Sequence, residues 1–392
     1  MMISRSPAVM LVAGEASGDL HGAALCRALR GLDPRCRLFG MGGAQMAAAG
    51  MNLLVDVTRA SVVGGSEAIG QVPRLYRAYR GLRAVLRGAD RPAVLVLIDF
   101  PEFNLRLARA ARRAGVPVVY FIPPQVWAWR GGRVKTIRRF VSLVLAVFPF
   151  EPPLYRRVGV PVEFVGHPLL DQLQAAPTRE AARRSLGIDD RTPVVGLLPG
   201  SRHQEVIRVL PVMRDAAAQV LTAAPGTRFV LGLAPTIERR LAAHHLDGGP
   251  PVEIVDGRTH AVIRAADLLL VTSGTVTLEA ALLGTPMVVC YRLSLVSELL
   301  ARLLIRVPWV SLTNLTLGRA VVPELYRRTT TSARLAREAL RLLTDAGARE
   351  IQRAAFSELA GQLGEPGVGM RAAHLVLAQA GVTRLMAPTV SR

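Results

Sequence analysis

The chain has 392 residues, of which 51% are hydrophobic and 20% charged, a composition that excludes a disordered protein and suggests two or three domains of about 150 residues. Its 49 Lys and Arg residues against 29 Asp and Glu give a formal net charge of +20. This excess indicates either a compositional preference for arginine or an anionic partner: a phosphorylated substrate, a membrane surface or nucleic acid. Nucleic acid has the least support, because aromatic residues are 5% and no nucleic-acid-binding motif is present.

The sequence argues against several classes of site and against a membrane-spanning helix. Lys135 is the only lysine and lies in a basic run, which excludes a P-loop and disfavours a Schiff-base mechanism. The three cysteines lack paired spacing, which argues against a disulfide scaffold or a zinc ribbon. The longest apolar stretch, 141–150, is far shorter than the ~20 residues of a membrane-spanning helix. The first apolar run is too short for a signal peptide, so a soluble or peripheral protein is expected.

Short runs of Val, Leu and Ile alternate along the chain with amphipathic, arginine-rich segments. The runs predict strands at 8–13, 94–98, 118–122, 143–148, 194–198, 229–233, 268–272 and 287–291. The segments predict helices at 20–31, 104–115, 204–221, 275–283 and 332–343, with another at about 368–381. Near-continuous apolar strands separated by helices indicate an α/β fold with parallel sheets covered on both faces.

The pattern begins twice, each time with a glycine loop, at 14–18 and at 199–202. We therefore expect two doubly wound, Rossmann-like domains that face each other across a cleft, at residues 1–170 and 171–365. A C-terminal helical segment, 366–392, would follow and could pack back on the first domain. Ligands of such sheets bind beyond the carboxyl ends of the strands.

Two features of the first half are candidate ligand or catalytic groups. The loop 14–22 has glycines that allow close approach of a ligand, and Ser17 or Asp19 could cap a helix whose amino end attracts anions; an ordinary capped turn is the alternative. Asp99 ends a predicted buried strand, where partial desolvation raises the pKa of a carboxyl and suits a general base. The alternative is that Asp99 only caps the next helix.

Three features of the second half point to a nucleotide. At 199–206, backbone amides and Arg202 could hold a diphosphate, unless this is a plain turn. At 271–279, Glu279 could accept hydrogen bonds from ribose hydroxyls, unless Thr275 is the helix cap and Glu279 faces solvent. The loop 309–319, polar with one arginine, could clamp sugar or phosphate oxygens.

The sequence contains no H-E-x-x-H, no G-x-S-x-G and no D-x-D pair for a divalent cation. No metal or cofactor is therefore predicted, and arginine and helix dipoles would stabilise a diphosphate leaving group. Two further stretches, 62–82 and 293–307, mix aliphatic residues with arginine. They predict either core-facing amphipathic helices or a patch that rests in a membrane interface.

Nine motifs occur in order along nearly the whole chain: GEASGDLHGA (14–23), FGMGG (39–43), IDFPEFN (98–104), PPQVWAWRGGRVKTI (123–137), FPFE (148–151), FVGHPL (164–169), LLPGSRHQEV (197–206), SGTVTLEAALLGTPMVV (273–289) and VSLTNLTLGRAVVPEL (310–325). With these motifs the chain resembles the lipid-A-disaccharide synthases, inverting glycosyltransferases of the two-domain GT-B fold. It departs from the usual pattern at Ala44, Thr313 and Tyr326-Arg327.

The resemblance implies transfer of 2,3-diacylglucosamine from UDP-2,3-diacylglucosamine to the 6-hydroxyl of 2,3-diacylglucosamine 1-phosphate. The products would be UDP and a β-1,6-linked tetraacyl disaccharide 1-phosphate, in lipid A biosynthesis. The enzyme would be cytoplasmic and peripheral on the inner face of the cytoplasmic membrane, and could form a homo-oligomer. The first domain would bind the acceptor and the second the donor.

The resemblance also implies roles for individual residues. The catalytic set would be Asp99, Glu15, Arg202 and Asn314. The acceptor side would comprise Gly14, Glu15, Ser17, Gly18 and Asp19. The donor UDP would contact Gly200, Ser201, Arg202, Ser273, Gly274, Thr275 and Glu279, and Asn314 and Arg319 would belong to a further site loop. Two other readings remain: a UDP-sugar 2-epimerase of the same fold, and a non-catalytic basic protein that binds nucleic acid or membrane.

Overall fold

The computed structural model describes residues 7–57, 68–126, 132–292, 308–326 and 329–382, with side chains from Val72 onward in the helix that begins at Ala68. The chain forms two compact units. Unit 1 comprises Met1–Asp171 and Gly364–Arg392, and unit 2 comprises Gln172–Leu363. The W-A-W-R segment, the 293–307 stretch, Arg327 and part of the 62–82 stretch lie outside the described residues.

Unit 1 contains one sheet of parallel strands. The strands are β1 (Ala8–Ala13), β2 (Arg37–Gly42), β3 (Asn52–Asp56), β4 (Val94–Ile98), β5 (Val118–Phe121), β6 (Leu143–Ala146) and β7 (Val162–Phe164), in the order β3-β2-β1-β4-β5-β6-β7. The helices are α1 (Ala16–Leu32), α2 (Ala44–Ala48), α3 (Ala68–Arg87), α4 (Pro101–Arg113), α5 (Arg133–Phe140), α6 (Glu151–Arg156) and α7 (Leu169–Gln172).

Unit 2 repeats the plan. Its parallel strands are β8 (Val194–Leu198), β9 (Arg228–Leu233), β10 (Val252–Asp256), β11 (Leu268–Thr272), β12 (Met287–Tyr291) and β13 (Glu324–Tyr326), in the order β10-β9-β8-β11-β12-β13. Its helices are α8 (Arg179–Ser185), α9 (His203–Ala223), α10 (Arg239–Leu246), α11 (Thr259–Ala265), α12 (Val276–Leu282), α13 (Leu312–Leu317), α14 (Ser332–Thr344) and α15 (Ala346–Gln362).

The last helix, α16 (Val368–Gln379), belongs to unit 1 and packs on α1. The Asp171 carboxylate accepts hydrogen bonds from the backbone amides of Gly367 and Gly369 at the start of this helix. The Arg371 guanidinium donates to the Val165 carbonyl from two nitrogens, at 3.0 and 2.8 Å. Two side chains therefore fix the returning chain to unit 1.

The central strands are apolar along their whole length because both sheet faces are covered. Every residue of β4, β5, β6, β8 and β11 is buried, as parallel sheets between helices require. Among the described residues, no helix is both long enough and apolar enough to cross a bilayer.

Each sheet reverses its strand order next to its first strand, and this reversal positions the candidate site loops. In unit 1, β1 pairs with β2 on one side and β4 on the other, with Ala13 opposite Ile98. In unit 2, β8 pairs with β9 and β11, with Leu198 opposite Val271. In unit 1 the loops that follow β1 and β4 are therefore neighbours, and in unit 2 so are the loops that follow β8 and β11. In each unit they lie at the point where such sheets bind ligands.

Candidate active site

In unit 1 the loop after β1 lies against the turn after β4. A Cβ atom on Gly14 would stand 2.1 Å from the Phe100 ring, so only glycine allows this contact. Glu15 and Ser17 are exposed, whereas Gly18 is buried at the start of α1. The loop thus presents one carboxylate and one hydroxyl to solvent beside the Asp99 turn.

Asp19 has a different role from the expected helix cap. The residue that caps α1 is Glu15, whose side chain makes no capping hydrogen bond, so the prediction of a Ser17 or Asp19 cap was wrong. The buried Asp19 carboxylate instead accepts hydrogen bonds from the amides of Gly43, Gln45 and Met46, at 2.7, 3.0 and 3.0 Å. It therefore holds the start of α2 against α1.

Asp99 lies in a strained turn between β4 and α4. Its φ is 47° and that of Phe100 is 44°, a left-handed conformation that is costly for a bulky residue. The residue that caps α4 is Phe100, without a side-chain hydrogen bond. The alternative that Asp99 caps the helix was therefore wrong.

The surroundings of Asp99 tune its carboxyl. The pKa of Asp99 is raised from 3.8 to about 6, mainly because the carboxyl is buried and in addition because Glu15 is negatively charged, while a hydrogen bond from the Phe100 amide partly offsets both effects. Burial disfavours the charged form, and a second carboxylate adds repulsion. A carboxyl with a pKa near 6 is mostly ionised at neutral pH, yet basic enough to accept a proton.

In unit 2 the loop after β8 carries a positively charged side chain, Arg202. Gly200 has a φ of 116°, which favours glycine. Arg202 caps α9, and its side chain is 77% exposed with one guanidinium nitrogen 3.0 Å from Glu205. The amino end of α9 and this arginine together favour an anion beside Gly200 and Ser201.

The neighbouring loop after β11 is hydrogen-bonded to the segment that precedes α13. The Ser273 hydroxyl donates to the Val310 carbonyl at 2.5 Å, and none of the described residues has an atom within 4 Å of the position that a Cβ on Gly274 would take. Thr275 occupies the cap position of α12 but makes no side-chain cap bond. Because β11 pairs directly with β8, this loop lies beside the Gly200 loop.

The alternative prediction that Glu279 faces solvent was wrong. Its side chain is 19% exposed, and its Oε2 lies 3.0 Å from Nε2 of His260 on α11. His260 is a functional candidate that the sequence reading missed, because nothing at a spacing of 19 residues connects it with Glu279. The pair fixes one carboxylate oxygen and leaves the other as an acceptor.

The side chain of Asn314 stabilises its own loop, and its expected catalytic role stays a prediction. It is 0% exposed. Its Oδ1 accepts from the amides of Val321 and Val322 at 2.8 and 3.0 Å, and its Nδ2 donates to the Val322 carbonyl and to Glu324 at 3.0 and 2.8 Å. Both lone pairs and both hydrogens of the amide are used within unit 2.

Two charged residues, Glu324 on β13 and Arg319 after α13, also stabilise this loop. Glu324 also accepts from the Val310 amide and from the amide and hydroxyl of Ser311, at 2.8, 3.0 and 2.6 Å, and sequence reasoning did not single it out. Arg319 forms a two-point ion pair with Glu358 on α15, at 2.9 and 2.6 Å. Within the described residues, no group of three or more His, Cys, Asp or Glu side chains is arranged to hold a metal ion.

The two α/β units with strand-order reversals define the class of the protein. Solved structures with the same fold include the S. aureus MnaA–UDP co-structure (TM-score 0.67, 12% identity, 96% of this chain and 97% of that one). The calicheamicin glycosyltransferase CalG4 also matches (TM-score 0.60, 17% identity, 97% of this chain and 100% of that one). The fold is the GT-B fold of glycosyltransferases and UDP-sugar 2-epimerases.

The sequence identifies the family within this class. The family model described as lipid-A-disaccharide synthetase matches residues 9–377. The lipid-A-disaccharide synthase of Myxococcus xanthus is 43% identical over 376 residues, 96% of this chain and 98% of that one. That of Geobacter sulfurreducens is 44% identical over 386 residues, 97% and 99% of the two chains. The chain belongs to the lipid-A-disaccharide synthase family and is a glycosyltransferase.

Proposed function

We propose that this chain transfers 2,3-diacylglucosamine, with inversion, from UDP-2,3-diacylglucosamine to the 6-hydroxyl of 2,3-diacylglucosamine 1-phosphate. The products are UDP and the β-1,6 tetraacyl disaccharide 1-phosphate of lipid A biosynthesis. The observation that carries the proposal is Asp99, a carboxyl with a pKa of about 6 at the strand-order reversal of unit 1. Membership of the family supports the choice of substrates.

In the reaction, the Asp99 carboxylate removes the proton of the acceptor 6-hydroxyl as that oxygen attacks the anomeric carbon of the donor. The new carbon–oxygen bond forms on the face opposite the UDP, whose bond to the anomeric carbon breaks, and the configuration inverts. A positioned base of this kind contributes ~10²–10⁴-fold to the rate. Glu15, exposed beside Asp99, is the second acceptor-side carboxylate.

Unit 2 holds the donor nucleotide. Peptide amides of the Gly200 and Gly274 loops and the exposed Arg202 guanidinium contact the diphosphate, and Glu279 accepts hydrogen bonds from the ribose. The exposure of Arg202 at the start of α9 supports this assignment, since a guanidinium and a helix amino end both stabilise the charge that grows on a diphosphate leaving group. The pairing of Glu279 with His260 supports a fixed carboxylate.

The acceptor is a lipid, and the chain is proposed to act as a peripheral protein on the inner face of the cytoplasmic membrane. On α3, Val72 and Tyr76 are 62% and 60% exposed, and Arg74, Arg77 and Arg80 beside them are exposed as well. Apolar side chains that enter the interface, with arginines on lipid phosphate, are typical of such an association. The net charge of +20 favours an anionic surface.

A 2-epimerase with this fold is the second candidate, supported by solved relatives such as the UDP-GlcNAc 2-epimerase of Neisseria meningitidis (TM-score 0.62, 11% identity, 95% of this chain and 98% of that one). The test is to incubate the purified protein with UDP-2,3-diacylglucosamine, with and without the 1-phosphate acceptor. A transferase releases UDP and disaccharide only when the acceptor is present. A 2-epimer of the donor formed without acceptor would contradict the proposal.

A further inference from the structure

The turn that carries Asp99 contains unusual backbone. In the described part of the chain, the non-glycine residues with positive φ are Asp99, Phe100 and Ile122, and all three follow β4 or β5. A phenylalanine and an isoleucine in this region are sterically unfavourable. Such strain persists only where surrounding contacts impose it, and it concentrates at functional sites.

Two buried side chains impose it here. Ile98 and Phe121 form the last pairing of β4 with β5, so the Asp99 carbonyl lies beyond the ladder. It accepts hydrogen bonds from Nδ2 of Asn104 at 2.7 Å and from the Tyr120 hydroxyl at 2.8 Å. The same Asn104 nitrogen lies 3.2 Å from the Ile98 carbonyl. The two donors come from α4 and β5 and meet on one oxygen.

Neither donor side chain is open to a ligand. Asn104 and Tyr120 are both 0% exposed, and the strained turn is further held by the Phe100 ring against Gly14. A carbonyl held by donors from two elements cannot rotate without breaking both hydrogen bonds, so the backbone of Asp99 is fixed. The two hydrogen bonds therefore set the direction of the Asp99 Cα–Cβ bond, from which the carboxyl projects.

We propose that Asn104 and Tyr120 are positioning residues for the general base: they hold the left-handed Asp99–Phe100 backbone and with it the direction of the Cα–Cβ bond that carries the Asp99 carboxyl. The inference rests on the proposed role of Asp99. It adds that the reactivity of this carboxyl depends on side chains that do not touch the substrate. Misplacing a reacting group by about 1 Å can cost ~10²-fold in rate.

Tyr120→Phe tests the proposal because it removes one hydroxyl and keeps the ring. Tyr155→Phe is the matched control: Tyr155 is equally buried in unit 1, and its hydroxyl has no hydrogen-bond partner among the described residues. Tyr120→Phe should lower kcat about tenfold or more and leave the affinity for UDP unchanged. Tyr155→Phe should leave kcat unchanged. A wild-type kcat for folded Tyr120→Phe would overturn the proposal.

A double-mutant cycle separates positioning of the base from general support of the fold. In an Asp99→Asn background, which keeps the turn and removes the base, Tyr120→Phe should cause no further loss of the residual rate. An equal fold-loss in both backgrounds would overturn the positioning role. Wild-type turnover of Asp99→Asn alone would instead overturn the proposed function, so the two failures are distinguishable.

A second variant and a second readout keep the test independent of one substitution. Asn104→Ser shortens the other donor, and it should lower kcat in the wild-type background and not in the Asp99→Asn background. In Tyr120→Phe, release of the carboxyl toward water should also move the acidic limb of kcat/KM to lower pH, since less burial lowers the pKa of a carboxyl. An acidic limb that stays in place together with an unchanged kcat would contradict the assignment.

Discussion

Asp99 is a residue on which catalysis and stability make opposite demands. Because its pKa in the folded protein, about 6, is above the ordinary value of 3.8, the folded state favours the protonated carboxyl. The associated stability is fully present below pH 3.8 and is lost as the pH rises through about 6. At neutral pH the ionised carboxylate therefore destabilises the fold.

Asp99→Asn should consequently stabilise the protein at neutral pH while it removes the base. The expected gain in the free energy of unfolding is about 1–3 kcal/mol at pH 7, helped by the tolerance of asparagine for left-handed backbone. Denaturant unfolding of both proteins at pH 7 and near pH 4 measures it. The gain should shrink at the lower pH, and a variant less stable than wild type at pH 7 would refute the argument.

Glu15 offers a separate check on the same carboxyl. Its negative charge raises the pKa of Asp99, although burial is the larger cause. Glu15→Gln should therefore move the acidic limb of kcat/KM from near pH 6 to lower pH, and part of the shift should remain. Ser17→Ala, an exposed change in the same loop, is the control and should leave the limb in place. A limb that moves to higher pH would contradict the electrostatic explanation.

At the scale of single elements, the amino end of α9 carries the donor assignment. Arg202→Ala should weaken UDP binding about tenfold or more, since charge-assisted hydrogen bonds to phosphate contribute roughly 1.5–3 kcal/mol. Arg184→Ala, an exposed arginine of α8 in the same unit, should leave the affinity unchanged. Isothermal titration with UDP measures both, and equal affinity of Arg202→Ala and wild type would reject the assignment.

The strands that the sequence predicts correctly are those that are buried on both faces of the sheet. The strands β1, β4, β8, β11 and β12 were predicted residue for residue, because strands covered on both faces consist of unbroken apolar runs. The strands β3, β7, β10 and β13 were not predicted: they lie at sheet edges and are at least partly exposed. The strand β2, of sequence RLFGMG, was missed because its glycines resemble a turn.

The site was recoverable only where its parts lie close together in the chain. The loops around Gly14 and Gly200 were found because each is a local strand–glycine–helix signal. The burial of Asn314 was not predicted because a polar loop in a sequence looks accessible, whereas its side chain makes four hydrogen bonds to Val321, Val322 and Glu324, seven to ten residues further along the chain. The pairing of His260 with Glu279 depends on two helices that only the folded sheet brings together.

At the scale of the whole molecule, the net charge of +20 has a testable role. Binding to vesicles that contain phosphatidylglycerol should weaken as NaCl is raised, and vesicles of phosphatidylcholine alone should bind poorly. Replacing both Val72 and Tyr76 with serine should weaken binding to the phosphatidylglycerol vesicles relative to wild type at the same NaCl concentration. Cosedimentation measures all three. If binding to anionic vesicles did not depend on salt, the net charge would have no role in membrane binding and would reflect only a compositional preference for arginine.

The proposed activity depends on one carboxyl, that of Asp99, acting as the base of glycosyl transfer. The most direct measurement compares turnover and UDP affinity of wild type, Asp99→Asn and the control Glu102→Gln, an exposed carboxylate at the start of α4. We expect Asp99→Asn to bind UDP as wild type does and to lose ~10²–10⁴-fold in kcat, with Glu102→Gln nearly unaffected. Near-normal turnover of Asp99→Asn, at unchanged UDP affinity, would contradict the central claim.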